Sequence, residues 1–185
     1  QRAKGVTAAS TGNHGRALAH AAAAEGARCI VCMSALVPRN KLDAIAALGA
    51  ETRIVGRSQD EAHIEVDRLV AEDGMTNVPP FDHPAIVAGQ GTIGLEIVAD
   101  LPDVETVLVP LSGGGLVAGI AAAVKGLRPH ARVIAISMRR GAAMQASLAA
   151  GLPVEVEELP TFADSIAALS AETRIVGRSQ DEAHI

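Results

Sequence analysis

The chain has 185 residues, 49% of them hydrophobic and 20% charged, with a net charge of -5 at pH 7, which excludes a disordered polymer and leaves room for one domain or two small ones. Acidic and basic residues are intermixed, so no basic stripe for nucleic acid forms, and no apolar run reaches the roughly 18 residues of a membrane span. Trp and Tyr do not occur and Phe81 and Phe162 are the only aromatic residues, which removes base-stacking platforms and aromatic cages.

In chain order, Val6-Thr7-Ala8-Ala9 reads as a buried strand and 15–25 as an Ala-rich helix ended by Gly26. The next strand is 29–33. It holds Cys29 and Cys32 at C-x-x-C spacing, but residues three apart on a strand point to opposite faces, so two buried thiols are expected and no redox or metal pair. Asn40 is read as the cap of a helix over 41–48 closed by Gly49, and 52–55 as a third strand closed by Gly56. Ser58 followed by Glu61 is a capping-box signature for a helix reaching about residue 72. Gly74-Met75-Thr76-Asn77-Val78-Pro79-Pro80 breaks the rhythm and is read as a boundary between a small domain, 1–74, and part of a larger one, 80–163. Beyond it come a helix within 86–99, a strand at 106–109, a helix reaching 127 and a strand at 132–136. Strands alternating with helices over short turns predict an α/β fold of two small parallel-sheet, three-layer units.

Two turns of small residues stand out, Ser10-Thr11-Gly12-Asn13-His14-Gly15 and Ser112-Gly113-Gly114-Gly115-Leu116. Each lies between a strand and a helix, where free amides and the positive end of the helix dipole converge on an anion. Helix capping by Ser10 or Asn13 and a tight strand-to-helix connection are the plainer alternatives. His14 is the histidine assigned to a site; His20, His63, His83 and His130 lack metal-ligand spacing and are expected at the surface or in caps. Glu155, Glu157 and Glu158 alternate with Val154 and Val156 and read as a solvated strand edge.

The end of the chain differs in kind. Residues 171–185 repeat 50–64 letter for letter, and the match runs back to 164 and 43 with changes only at Ala44 against Ser165 and Gly49 against Ser170. A single undrifted copy is not a solenoid, and 164–185 is assigned neither a domain nor a function.

The two turns together with Gly89-Gln90-Gly91-Thr92-Ile93, in their order and spacing, resemble the serine/threonine dehydratase family of pyridoxal-phosphate enzymes (fold type II). Within it, Cys32-Met33-Ser34, Leu36-Val37-Pro38-Arg39-Asn40-Lys41 and Arg53-Ile54-Val55-Gly56-Arg57-Ser58-Gln59-Asp60-Glu61-Ala62 are similar to the hydroxyectoine utilization dehydratase subgroup. The resemblance covers about residues 5–165. It implies a tryptophan-synthase-beta-like fold, here incomplete, and pyridoxal 5'-phosphate as cofactor. It also implies conversion of a 3-hydroxy amino acid to a 2-oxo acid and ammonia, and a homodimer in the full-length form. By residue match, Asn13 is expected against the cofactor's ring hydroxyl, and Ser10, Thr11, Gly12 and His14 around the substrate carboxylate. Ser112, Gly113, Gly114, Gly115 and the N–H of Leu116 are expected on the phosphate. Thr11 matches the second acid/base of the racemases, so serine racemization is an alternative chemistry.

Three departures qualify that match. The family's Schiff-base lysine lies upstream of the Ser-x-Gly-Asn-His turn, and Lys4, Lys41 and Lys125 lack its surrounding motif, so an inactive fragment truncated at both ends is expected. The closing region with the residue that contacts the pyridine nitrogen is replaced by the repeat. Ser137 stands where some relatives carry a metal-binding acid, so no metal is assigned. Two readings outside the family are a non-catalytic, partly folded fragment and a nicotinamide-dinucleotide module built on Gly113-Gly114-Gly115-Leu116-Val117-Ala118. The latter wants an acidic residue about twenty positions on, where Ser137, Met138 and Arg139 stand. With no charged-then-apolar leader after Gln1, a cytoplasmic location is expected.

Overall fold

The computed structural model describes residues 3–138, 142–154 and 156, and the chain divides into two units, Gln1–Pro80 and Phe81–Ile185. The first runs β1 (Val6–Ala9), α1 (Asn13–Ala24), β2 (Cys29–Met33), α2 (Arg39–Ala46), β3 (Glu51–Ile54), α3 (Gln59–Asp73) and β4 (Thr76–Asn77). All strand pairs are parallel, in the order β3-β2-β1-β4. β2 is central and buried throughout, which is why it reads as an unbroken apolar run. Its alternate residues serve opposite faces. Cys29, Val31 and Met33 pack with Ala19, Ala22 and Ile45 from α1 and α2, whereas Ile30 and Cys32 pack with Ala62, Val66 and Leu69 of α3.

Several boundaries move for identifiable reasons. Asn40 does not cap α2: Pro38 is the N-cap, and its carbonyl already accepts from the amides of Lys41 and Leu42. The capping box at Ser58 and Glu61 is present, and Gly74, with φ 66°, closes α3 in the left-handed conformation. The segment read as a break contains β4, which extends the sheet beyond β1 through Val6↔Thr76 and Thr7↔Asn77.

The second unit contains α4 (Pro84–Asp100), β5 (Thr106–Pro110), α5 (Gly115–Leu127), β6 (Arg132–Ile136) and α6 (Ala143–Ala150). β5 and β6 pair in parallel, and their Val107, Val109 and Val133 pack with Ile97, Val98, Ile120 and Val124 of α4 and α5. These helices approach closely because they meet at glycine: a Cβ on Gly119 would lie 2.3 Å from the Val87 carbonyl oxygen, and one on Gly94 would lie 2.8 Å from Ala123 Cβ. Leu108 and Ile136, which point to the other sheet face, are exposed among the described residues. The repeat at 164–185 and the acidic residues Glu155, Glu157 and Glu158 lie outside the described residues.

Candidate functional site

The first turn sits at the carboxyl end of β1, the edge where ligands bind in open parallel sheets. Ser10, which is buried, follows the strand, and its amide still belongs to the ladder, donating to the Cys32 carbonyl at 3.1 Å. Its Oγ accepts from the amides of Gly12 at 3.3 Å and Gly15 at 3.1 Å. Both lone pairs of the hydroxyl are therefore engaged and its hydrogen is left to donate. α1 begins at Asn13 with Gly12 as N-cap; Ser10 Oγ takes the Gly15 amide of its first turn, as the capping alternative expects, while Gly12 itself offers no side chain and no acidic residue lies in that turn. α3, by contrast, closes its own N-terminus with Ser58, Asp60 and Glu61. The amides of Thr11, Asn13 and His14 have no acceptor among the described residues, and the Asn13 side chain is exposed.

His14 is a strut. Its Nε2 lies 2.9 Å from the Val78 carbonyl oxygen, an atom that can only accept, so Nε2 carries the hydrogen and donates. The two glycines of this turn differ in kind. A Cβ on Gly15 would lie 2.9 Å from the Ser10 carbonyl oxygen and 3.1 Å from Val31 Cγ1, so packing of α1 on the sheet requires glycine there. A Cβ on Gly12 would meet nothing within 4 Å, and its φ of -117° is open to any residue. Packing gives no reason for glycine at 12; glycine there is a favoured N-cap residue and leaves the amides beside it uncovered.

The second turn lies at the carboxyl end of β5. Gly114 has φ 95° and forms the N-cap of α5, again without a capping side chain and without an acidic residue in the first turn. The first helical amide bond runs from Ala118 to the Gly114 carbonyl at 2.9 Å, so the amides of Gly115, Leu116 and Val117 precede any intrahelical acceptor. Here glycine has an internal cause. A Cβ on Gly113 would lie 2.4 Å from Phe81 Cδ1, and one on Gly115 would lie 2.8 Å from Phe81 Cα. Phe81 accounts for the absence of a side chain at Gly113 and Gly115, and the backbone conformation accounts for Gly114. What remains for an anion is the run of amides of Gly115, Leu116 and Val117, which have no acceptor among the described residues, and the residues present fit a phosphate on that ground.

Several other titratable groups among the described residues serve the scaffold. Burial pushes the Cys29 thiol up to about 11 and the Cys32 thiol above its usual value, with Glu65 adding to the latter; neither is a ready nucleophile. Glu65 accepts from Arg68 and from Arg53 Nη1 at 2.8 Å, which holds its carboxyl down at about 2. His83 caps α4 by accepting from the Ala85 amide at 3.2 Å, and His20 and His130 are exposed. Among the described residues no three His, Cys, Asp or Glu side chains are placed to hold a metal ion, and no helix is long and apolar enough to cross a membrane. The residues that sequence reasoning missed are Val78, Phe81 and Gln59, each of which supports a turn from a distance in sequence that no local motif encodes.

Comparison with known proteins gives the family. The family model described as pyridoxal-phosphate dependent enzyme matches residues 1–184. The chain belongs to that family. A protein of Sinorhizobium fredii named "Putative threonine dehydratase" is 65% identical over 165 residues, which is 89% of this chain and 50% of the relative. An L-threonine ammonia-lyase of Thermotoga maritima is 42% identical over 167 residues, covering 90% of this chain and 42% of the relative. Among solved structures, threonine deaminase isoform 2 of Solanum lycopersicum superposes with a TM-score of 0.86 at 37% identity, over 92% of this chain and 50% of that one. A maize serine racemase gives 0.85 at 30% identity, over 90% and 50%. The chain thus spans about half, or less, of the length of these relatives. As a member of this family it has the α/β, fold type II architecture and pyridoxal phosphate as the family cofactor, which sets aside the dinucleotide reading.

Proposed function

We propose that this chain is the part of a pyridoxal-phosphate-dependent dehydratase that grips the two anionic ends of cofactor and substrate, in an enzyme that converts a 3-hydroxy amino acid to a 2-oxo acid and ammonia. The observation that carries the reading is the open space at Gly12 beside the unaccepted amides of Thr11, Asn13 and His14. In this reading those amides and the Ser10 hydroxyl bind the substrate carboxylate, and His14 keeps the turn in place through Val78. The Asn13 carboxamide meets the cofactor's ring hydroxyl. Ser112 and the amides of Gly113, Gly114, Gly115 and Leu116 hold the phosphate, with the α5 dipole favouring its charge. The Thr11 hydroxyl is the side chain available as a second acid or base. The bound cofactor supplies an electron sink for the pair left at Cα when the α-proton leaves, so that the β-hydroxyl can depart.

The covalent anchor is none of the three lysines in this reading. Lys125 donates to the Pro129 carbonyl beyond the far end of α5, roughly 15 Å along the helix from Gly115 at the usual rise. Lys4 lies beside Gly74, at the end of β1 opposite Ser10, and Lys41 lies in the first turn of α2. The 185-residue chain assayed alone is therefore expected to give no turnover. A small amino acid as substrate, a homodimer and a cytoplasmic location go with the whole enzyme, and an acid arising in hydroxyectoine breakdown is the substrate the subgroup likeness favours.

The test supplies a panel of 3-hydroxy amino acids, with pyridoxal phosphate, to a longer protein that contains this chain. Release of equal amounts of 2-oxo acid and ammonia from at least one is expected. No release from any of them would remove the dehydratase reading. A cofactor absorbance band in the chain alone, abolished by Lys41→Ala, would show that the anchor is present after all.

A further inference from the structure

The geometry points to Gln59 as the residue that sets the orientation of the Ser10 turn, by supplying a hydrogen bond that the sheet itself cannot. Resting on the reading of that turn as a carboxylate site, Gln59 is a positioning residue for substrate binding.

In β1, Val6 and Ser10 direct their amides to β2, donating to the carbonyls of Arg28 and Cys32. Thr7 and Ala9 therefore face β4. The Thr7 carbonyl accepts from the Val78 amide at 2.9 Å. Continued by one step of the parallel register, the ladder would offer the Ala9 carbonyl the amide of residue 80. Residue 80 is proline, which has no N–H. Ala9 is buried, and a buried carbonyl needs a donor. Gln59 Nε2 donates to it at 2.9 Å, from the first turn of α3, fifty positions along the chain.

The consequence falls on Ser10. The Ala9 carbonyl and the Ser10 amide belong to one peptide plane, so Gln59 grips one edge of that plane and Cys32 the other. Ser10 Oγ in turn receives the amides of Gly12 and Gly15. The Gln59 amide thus governs the plane from which the whole turn hangs. Its own place is fixed by the capping box of Ser58 and Glu61 on either side of it.

The experiment follows amide hydrogen exchange by NMR in the 185-residue chain, together with shift titration by L-serine, for wild type, Gln59→Leu and Glu65→Gln. The last variant weakens the ion pairs of α3 without touching β1 and controls for lost stability. In Gln59→Leu the amides of Gly12 and Gly15 are expected to exchange roughly tenfold faster while those of β2 hold, and L-serine to bind roughly tenfold more weakly. In the double variant Gln59→Leu/Pro80→Ala, an alanine N–H replaces the missing donor and protection returns. Unchanged exchange in Gln59→Leu, an equal rise in Glu65→Gln, or no return in the double variant would each overturn the inference. If L-serine moves no resonance of the turn in wild type, the carboxylate reading falls while the exchange ratios still decide the role of Gln59.

Discussion

At the scale of single residues, glycine stands in the two turns for different reasons, and the difference is measurable. Gly12→Thr places its side chain in open space at an ordinary backbone angle and keeps a residue as good as glycine at an N-cap, so stability is expected to stay within about 0.5 kcal/mol of wild type. Carboxylate binding at the turn, followed by NMR titration, is expected to weaken tenfold or more. Gly15→Ala is expected to do the reverse in the first respect: its Cβ meets the Ser10 backbone and Val31, at a cost of about 1–3 kcal/mol in chemical denaturation. A binding loss in Gly12→Thr that merely tracked lost stability would mean the space at 12 has no ligand. Thr7 gives a third case. Its Oγ1 is buried without an oxygen or nitrogen partner and faces the Cys32 thiol, so Thr7→Val is expected to leave the melting temperature unchanged or raise it.

At the scale of elements, α3 is the best-defined helix and the one whose polar face carries a pH dependence. Ser58→Ala removes the acceptor of the Glu61 amide and is expected to cost about 1 kcal/mol in denaturant melts. Glu65, held down at about 2 by Arg68 and Arg53, binds fewer protons folded than unfolded, so its contribution is complete above its ordinary value near 4.5. That contribution is lost as pH falls toward 2. Denaturation midpoints measured from pH 5 to pH 2 should therefore fall less steeply in Glu65→Gln than in wild type; parallel curves would remove Glu65 from the account. The helices and longer strands were legible because apolar runs and Ser58-x-x-Glu61 encode them locally. β4 was not, since two exposed residues before Pro79-Pro80 show no periodicity and owe their pairing to β1. α6 was missed because its N-cap is Ala142 and no side chain marks its start. The Gln59 contact was invisible for a related reason: its partner is a carbonyl orphaned by a proline far away in sequence.

At the scale of the whole molecule, the alternation of strands and helices and the positions of both turns at strand carboxyl ends follow from the sequence, and the family match confirms the architecture they imply. What the turns hold is a matter of chemistry within each unit. The first unit offers the Thr11, Asn13 and His14 amides beside the vacant space at Gly12, and the second offers the amides that open α5. The most direct measurement is a titration of the isotopically labelled chain with pyridoxal 5'-phosphate, read residue by residue by NMR. The account predicts that the phosphate moves the amides of Gly114, Gly115, Leu116 and Val117 most, and that inorganic phosphate competes for them. Shifts that leave this turn untouched and gather elsewhere on the chain would contradict it.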